Sequence, residues 1–204
     1  MFRSLTSIAV GLTAAAALVS PAYATKATPP ALANGLSVTG DKAEVQNEHI
    51  KETQKLGKNE ACRFPVKIQA DVRIRRVITN GGDDVYERAR GHVKVTNRWT
   101  HESLSFRIND RTWIEVDDKD GIAGYGRGQF LAFGDDITVK SHRQGHVSAA
   151  NRGHERNEGI YYVQGKYKFS ITNVSSEDAA GRIYVKRGHV LDVCKALVGH
   201  RKGH

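Results

Sequence analysis

Four arginines in two neighbouring segments have the spacing of an anion-binding cluster. They are Arg73, Arg75, Arg88 and Arg90. If the two segments pair as a hairpin across the turn-forming stretch 79–84, their apolar faces match only when Ile78 lies opposite Val85. That register sets the arginines against each other in two pairs on the outer face. Like charges directly opposed across strands are unfavourable, so these side chains either extend into water or bind an anion.

His92 and Lys94 would continue the arginine cluster along the second strand. We therefore predict that this face binds an anionic partner such as an envelope polymer, a glycan or a lipid headgroup. The alternative is a simple solvated face, since cationic residues on outer faces also discourage aggregation of strand edges. The same register sets Arg76 opposite Glu87 on the inner face. We expect that pair at a wet rim, near the mouth of a barrel, because buried charges require compensation.

Signals for catalysis or metal binding are weaker. His142, His146 and His154 occupy a polar stretch that glycines interrupt, which favours a loop over a metal site. The chain contains no Gly-x-Ser-x-Gly nucleophile motif. The glycine-rich segment 124–128 is not followed by a helical pattern, so it indicates a kinked strand or a bulge rather than a phosphate loop. We predict no catalytic residue, no metal and no cofactor, and we favour binding over catalysis.

The start of the chain has the pattern of a secretory signal peptide. Arg3 is followed by the apolar run Leu5–Val19, and the segment ends in Ala22-Tyr23-Ala24. We predict a signal peptide over residues 1–24 and a secreted or cell-envelope-associated product. No other stretch is long and apolar enough to predict a membrane span. The net charge of +9, from 31 Lys and Arg against 22 Asp and Glu, suits an anionic surface. In a secreted chain we do not expect nucleic acid as the partner.

Residues 25–60 are predicted to be a flexible leader. They are polar, carry charges of both signs and allow at most a short helix around Glu44–Leu56. Residues 199–204 are predicted to be a basic tail.

Residues 61–198 alternate apolar and polar side chains in short runs that are separated by turn signals. The alternation is clearest in Phe64–Ile74 and Val85–Val95, and one of the turn signals is Asn109-Asp110. About eight such runs predict an all-β domain, either a small antiparallel meander barrel or a β-sandwich. A short helical turn is expected at Asp192–Val198.

The two cysteines, Cys62 and Cys194, allow a single intramolecular pairing, which an oxidising compartment would favour. A disulfide between them would join the start of the first predicted strand to the end of the last. Closed barrels bring those two strands together, which is why we favour the barrel.

Several motifs of the domain resemble those of an uncharacterised family of small secreted actinobacterial proteins. The matching stretches are Ala61–Val66, Val93–Asn97, Gly126–Phe133 and Gly188–Leu197. The resemblance covers about residues 61–197 and implies a secreted β domain whose first and last segments are bonded. It implies no chemistry. The chain departs from the family pattern at Ser141–Glu158, a polar and basic insertion that we consider a candidate contact region.

Three functions remain open from the sequence. We rank first a non-catalytic protein that binds an anionic partner through the basic strand face. The second is a carrier that holds a small apolar ligand inside the barrel. The third is a hydrolase whose site only the fold would assemble.

Overall fold

The computed structural model describes most of the chain from residue 43 onward. The described ranges are 43–79, 83–117, 121–134, 137–146, 159–172 and 180–199. The predicted signal peptide, the leader up to residue 42, the stretch 147–158 and the tail from residue 200 lie outside them.

Apart from one short C-terminal helix, the described part of the protein consists of β-strands. Within the described ranges, nine strands form a single mixed sheet in the order β1-β2-β3-β4-β5-β8-β9-β6-β7. The strands are β1 (Glu44–Leu56), β2 (Val66–Thr79), β3 (Asp84–Asn97), β4 (Ser103–Asp117), β5 (Gly121–Gly134), β6 (Ile137–Ser141), β7 (Gly145–His146), β8 (Gly159–Thr172) and β9 (Ala180–Asp192), and the helix is α1 (Val193–Gly199).

The predicted pairing of the first two long apolar runs is confirmed. β2 and β3 are antiparallel, with Ile78 opposite Val85, and the register holds along both strands to Val66 opposite Asn97. Every second side chain of β2 from Val66 to Ile78 is buried. A slip of one residue would bury the charged side chains that alternate with the apolar ones. The apolar pattern is therefore sufficient to identify the register.

The prediction of a leader that extends to residue 60 is wrong for its last part. Residues 44–56 form neither a coil nor a helix but an edge strand, β1, which pairs antiparallel with β2 over its whole length. Only Ile50 and Leu56 contribute large apolar side chains to its inward face, and of these Leu56 alone is fully buried. The alternation of apolar and polar residues in β1 is weak because, as an edge strand, it leaves most side chains of both faces at least partly in water.

The predicted turn at Asn109-Asp110 is also wrong, because both residues lie within β4. This strand pairs with β3 and β5 straight through them. A carboxylate is tolerated in the middle of the strand because Asp110 is hydrogen-bonded in the interior, to Thr112 and Tyr167.

The described strands do not close into a barrel. β1 lies at one edge of the sheet, and the other edge is formed by β6 and β7, with β6 parallel to β9. A simple meander is therefore wrong, the closed barrel is not confirmed, and the strands form one sheet rather than two. No helix in the described ranges combines the length and the apolar character needed to cross a bilayer.

The sheet curls strongly enough to bury both faces where β5 and β8 pair. Leu131 and Tyr162 belong to one apolar cluster, whereas their chain neighbours Phe130 and Tyr161 belong to a second cluster on the opposite face. The first cluster includes most of the buried side chains of β2, β3 and β4 together with α1. The second includes those of β6 and β9 and the residues Ile78, Val85 and Ile114.

A glycine line crosses the curled region. Gly128 faces Gly165, which faces Gly188. Gly165 and Gly188 have φ values of 126° and 148°, a backbone conformation that side chains disfavour. A Cβ on either residue would collide with the backbone of the neighbouring strand. A register shift follows directly, between Lys166 and Tyr167, and such irregularities increase the local twist of a sheet.

The predicted disulfide is confirmed. Cys62, in the connection between β1 and β2, is bonded to Cys194 in α1, with 5.6 Å between their Cα atoms. The predicted C-terminal helical turn is confirmed as well. The bond holds α1 against the first apolar cluster, in which Val193 and Leu197 are buried beside Phe64.

Candidate anion-binding surface

The four predicted arginines lie together on the outer face of the sheet. Arg73 faces Arg90 and Arg75 faces Arg88 across β2 and β3, as predicted. Their positions follow from the alternation of the strands, because their chain neighbours Val72, Ile74 and Ala89 are buried.

Strand pairing extends one of these pairs into a line of cations across the sheet. Arg75 faces Arg88, Arg88 faces Arg111, and the sequence of partners continues through β5, β8 and β9 without a neutral residue. We call this line the cation row. It consists of Arg75, Arg88, Arg111, Arg127, Lys166 and Arg187. Adjacent strands lie about 4.8 Å apart, so six strands place the row over about 24 Å.

The cation row faces solvent. Five of its members are exposed, and Arg88, flanked on both sides, is half-buried. Within the described ranges, none of the six is in an ion pair, and the Nε atom of Arg88 is buried without a hydrogen-bond partner. Opposed like charges destabilise a sheet, and here five such contacts follow one another. An anion lying along the row would relieve this repulsion.

His92 and Lys94 continue the basic face along β3, again as predicted. Both are exposed and line a shallow groove of about 460 Å³ that the outer faces of β1 to β4 form. One wall of the groove carries an acidic residue, Asp71, whose carboxylate lies 2.8 Å from the Nε2 atom of His49. The hydrogen bond from His49 holds the pKa of Asp71 below its usual range. The basic character is therefore strongest in the cation row and weaker toward this groove.

The inner face carries a second set of polar residues directly behind the cation row. Arg76 faces Glu87 as predicted, and its Nε donates to the Glu87 carboxylate at 2.9 Å. The pair does not lie at a wet rim: Glu87 is 2% exposed and Arg76 7%. A second carboxylate, Glu48 of β1, accepts from Arg76 Nη1 at 2.8 Å. Glu48 compensates the charge of the guanidinium and Glu87 accepts a hydrogen bond from it, which is why no contact with bulk water is needed.

The interior set continues across β4 into β8. Asp110 Oδ2 accepts hydrogen bonds from Thr112 Oγ1 at 2.6 Å and from the Tyr167 hydroxyl at 2.5 Å. Gly126, which lies between Thr112 and Tyr167 in the ladder, leaves the space that the phenol ring occupies. We call these residues the interior polar cluster. Its members are Arg76, Glu87, Asp110, Thr112 and Tyr167.

Burial controls the titration of this cluster. It raises the pKa of Glu87 from 4.5 to about 7, against the opposing effect of the Arg76 charge. The pKa of Asp110 is also raised by burial, although hydrogen bonds from Thr112 and Tyr167 oppose the rise. Burial and the nearby Asp110 carboxylate raise the pKa of Tyr167 well above its ordinary value.

The interior polar cluster leaves two polar atoms without a hydrogen-bond partner in the described part of the chain. They are Arg76 Nη2 and Asp110 Oδ1. Both carboxyl residues, Glu87 and Asp110, are 2% exposed. Because they are shielded from solvent, their protonation states affect the stability of the fold.

The segment 124–128, interpreted from sequence as a kinked strand or a bulge, is a continuously paired part of β5. Its glycines are required for close approach, since a Cβ at Gly124 would collide with the ring of Phe169 and one at Gly128 with Asp110.

The predicted histidine-rich stretch lies only partly within the described ranges. His142 follows β6, His146 ends β7, and His154 lies outside. Among the described residues, no group of three or more His, Cys, Asp or Glu side chains is placed to hold a metal ion.

Sequence reasoning missed four members of the cation row and three of the interior polar cluster. The missed residues are Arg111, Arg127, Lys166, Arg187, Asp110, Thr112 and Tyr167. Arg111 and Arg127 could have been found, because the residues Asp117-Asp118-Lys119-Asp120-Gly121 are typical of a turn and a hairpin centred on them pairs the two arginines directly. Lys166 and Arg187 had no such signal, since a long connection precedes β8 and a register shift follows Lys166.

Comparison of the chain with models of protein families, with curated proteins and with solved structures finds no match in any of the three. The resemblance to secreted actinobacterial proteins stays a prediction.

Proposed function

We propose that the chain is a secreted, non-catalytic protein that binds an anionic polymer on the outer face of its sheet. The observation that carries the proposal is the cation row, six cationic residues that face one another on six neighbouring strands. A merely solvated face needs charge for solubility, but it gains nothing from aligning like charges. A polyanion gains from such a line, because each contact releases counterions.

Secretion is part of the proposal. The predicted signal peptide supports it, and the disulfide Cys62–Cys194 is compatible with an oxidising compartment. An extracellular or envelope location would also bring the protein to polymers of the kind that the cation row suits.

The test is a binding titration of the mature chain with soluble polyanions at several NaCl concentrations. Charge reversal by Arg111→Glu/Arg127→Glu, at exposed and directly paired positions, should weaken binding by about tenfold or more, since charge-assisted contacts contribute about 1.5–3 kcal/mol each. The same change at the other predicted pair, Arg73→Glu/Arg90→Glu, should act similarly because it lies beside the row.

A matched control changes the net charge equally at a distant place. Both Lys58, in the connection between β1 and β2, and Arg98, directly after β3, are exposed. They lie outside the cation row, at the end of the sheet where β2 begins and β3 ends. If Lys58→Glu/Arg98→Glu weakens binding as much as the row variants do, overall charge and not the row is responsible, and the proposal fails. Binding that does not weaken as salt rises would refute it equally.

A further inference from the structure

Two more rows run parallel to the cation row on the outer face, one on each side. The row on one side is aromatic, and we call it the aromatic row. It contains Tyr86, Trp113, Tyr125 and Tyr184, with Lys168 between the last two. The row on the other side carries side-chain amides in its centre, and we call it the amide row. It contains Asn109, Gln129 and Gln164, followed by His189 at one end and Arg90 and Arg73 at the other.

The aromatic row presents flat apolar surface to water. The Tyr125 residue is 54% exposed and Tyr184 37%, and both are among the most exposed large hydrophobic residues described. Tyr86 and Trp113 are half-buried neighbours with ring centroids 6.1 Å apart. Rings in such positions combine an apolar face with a polar tip, the character of aromatic residues at binding surfaces.

The amide row offers hydrogen-bonding groups that the fold does not use. Asn109 is exposed, and Gln129 and Gln164 are half-buried. Within the described ranges their side chains make no hydrogen bond to the protein. Each amide can donate and accept at once, which suits hydroxyl groups.

From these rows we propose that the anionic polymer is an acidic polysaccharide lying across the strands. This inference rests on the proposed function and names its ligand class. A sugar ring has an apolar C–H face that can stack on the aromatic row, and it carries hydroxyl groups that can meet the amide row. Its carboxylate or sulfate can then lie on the cation row between the two. The three chemistries of an acidic polysaccharide thus match three adjacent rows of the sheet.

Other anions match the surface less completely. Polyphosphate and lipid headgroups would use the cation row but would leave the tyrosines without a stacking partner. A single-stranded nucleic acid projects its bases to one side of its phosphates, so it would use the aromatic row but not the amide row.

The experiment compares four probes at equal concentrations of anionic charge. They are polygalacturonate, polyphosphate, oligothymidylate and phosphatidylglycerol vesicles. We expect polygalacturonate to bind most tightly. We also expect Tyr125→Ala/Tyr184→Ala to weaken its binding by about tenfold or more, the scale of a lost stacking contact. Binding of polyphosphate by that variant should change less than about twofold.

Trp99→Ala is the matched control. Trp99 is 60% exposed but lies in the connection after β3, away from the three rows. If the tyrosine variant binds polygalacturonate like the wild type or like Trp99→Ala, the inference is overturned. Equal or tighter binding of polyphosphate, oligothymidylate or vesicles overturns it too. A tyrosine variant that binds normally, or tighter binding of polyphosphate or oligothymidylate, would leave the proposed function standing. The proposed function itself fails if no soluble polyanion binds in a salt-dependent way.

Discussion

The stability of the protein should become less dependent on pH when Glu87 is replaced by glutamine. Glu87 is buried, and burial raises its pKa from 4.5 to about 7. Below pH 4.5 the side chain is protonated in both the folded and the unfolded chain and contributes no pH dependence. Between pH 4.5 and about pH 7, the unfolded chain has lost the Glu87 proton while the folded chain keeps it. The free energy of unfolding therefore falls as pH rises from about 4.5 to about 7.

The size of this effect follows from the two pKa values. At about 1.4 kcal/mol per pH unit, a change from 4.5 to about 7 corresponds to about 3 kcal/mol of stability lost across the window. Glu87→Gln keeps an oxygen that can accept from Arg76 but removes the titration. The assay is urea unfolding of both proteins at half-unit steps from pH 4 to pH 8, with the difference between the two curves as the result.

The difference removes the contributions of titrating groups that lie away from Glu87, whereas Asp110 interacts with Glu87 and its contribution cancels only in part. Glu115→Gln, at an exposed carboxylate of β4, is the control and should leave the wild-type curve unchanged in shape. If the Glu87→Gln and wild-type curves run parallel across the window, the assignment of a raised pKa to Glu87 is refuted.

Two further predictions concern packing and the disulfide. Gly126→Ala should destabilise the protein by about 1–3 kcal/mol, because its Cβ would displace the Tyr167 phenol. The control is Gly57→Ala, whose Cβ would meet only the flexible Glu60 side chain and should change the unfolding midpoint much less. Equal effects of the two substitutions would contradict the packing argument. Cys62→Ser/Cys194→Ser removes a disulfide between residues 132 positions apart and should lower the free energy of unfolding by roughly 4–5 kcal/mol in urea unfolding. A loss below about 1 kcal/mol would show that the bond does not restrain the unfolded chain.

The hairpin of β2 and β3 was predictable because two independent signals agree there. Alternation identified the buried faces, and the turn between the strands limited the register, so the opposition of Arg73 to Arg90 followed. What this local pattern could not predict is the environment of Arg76 and Glu87, because their burial depends on Glu48 and on the curl of distant strands.

The missed elements have a common physical cause: their signals are tertiary. β1 has too few apolar residues to stand out, and it becomes a strand only because β2 offers an unpaired edge. Asp110 is of a type that favours turns, yet its partners in the fold, Thr112 and Tyr167, hold it within a strand. The far half of the cation row depends on the pairing of β8 and β9. A register shift between these strands prevents their partners from being predicted by counting residues from a turn.

Along the cation row, packing and electrostatics act on the same strands in opposite directions. Apolar packing on one side of each strand holds the strands in register, while electrostatic repulsion on the other side pushes them apart. Interactions that lower stability in this way are common at functional sites of proteins. Binding of the proposed polyanion would remove this repulsion, so it should raise the free energy of unfolding as the bound fraction rises.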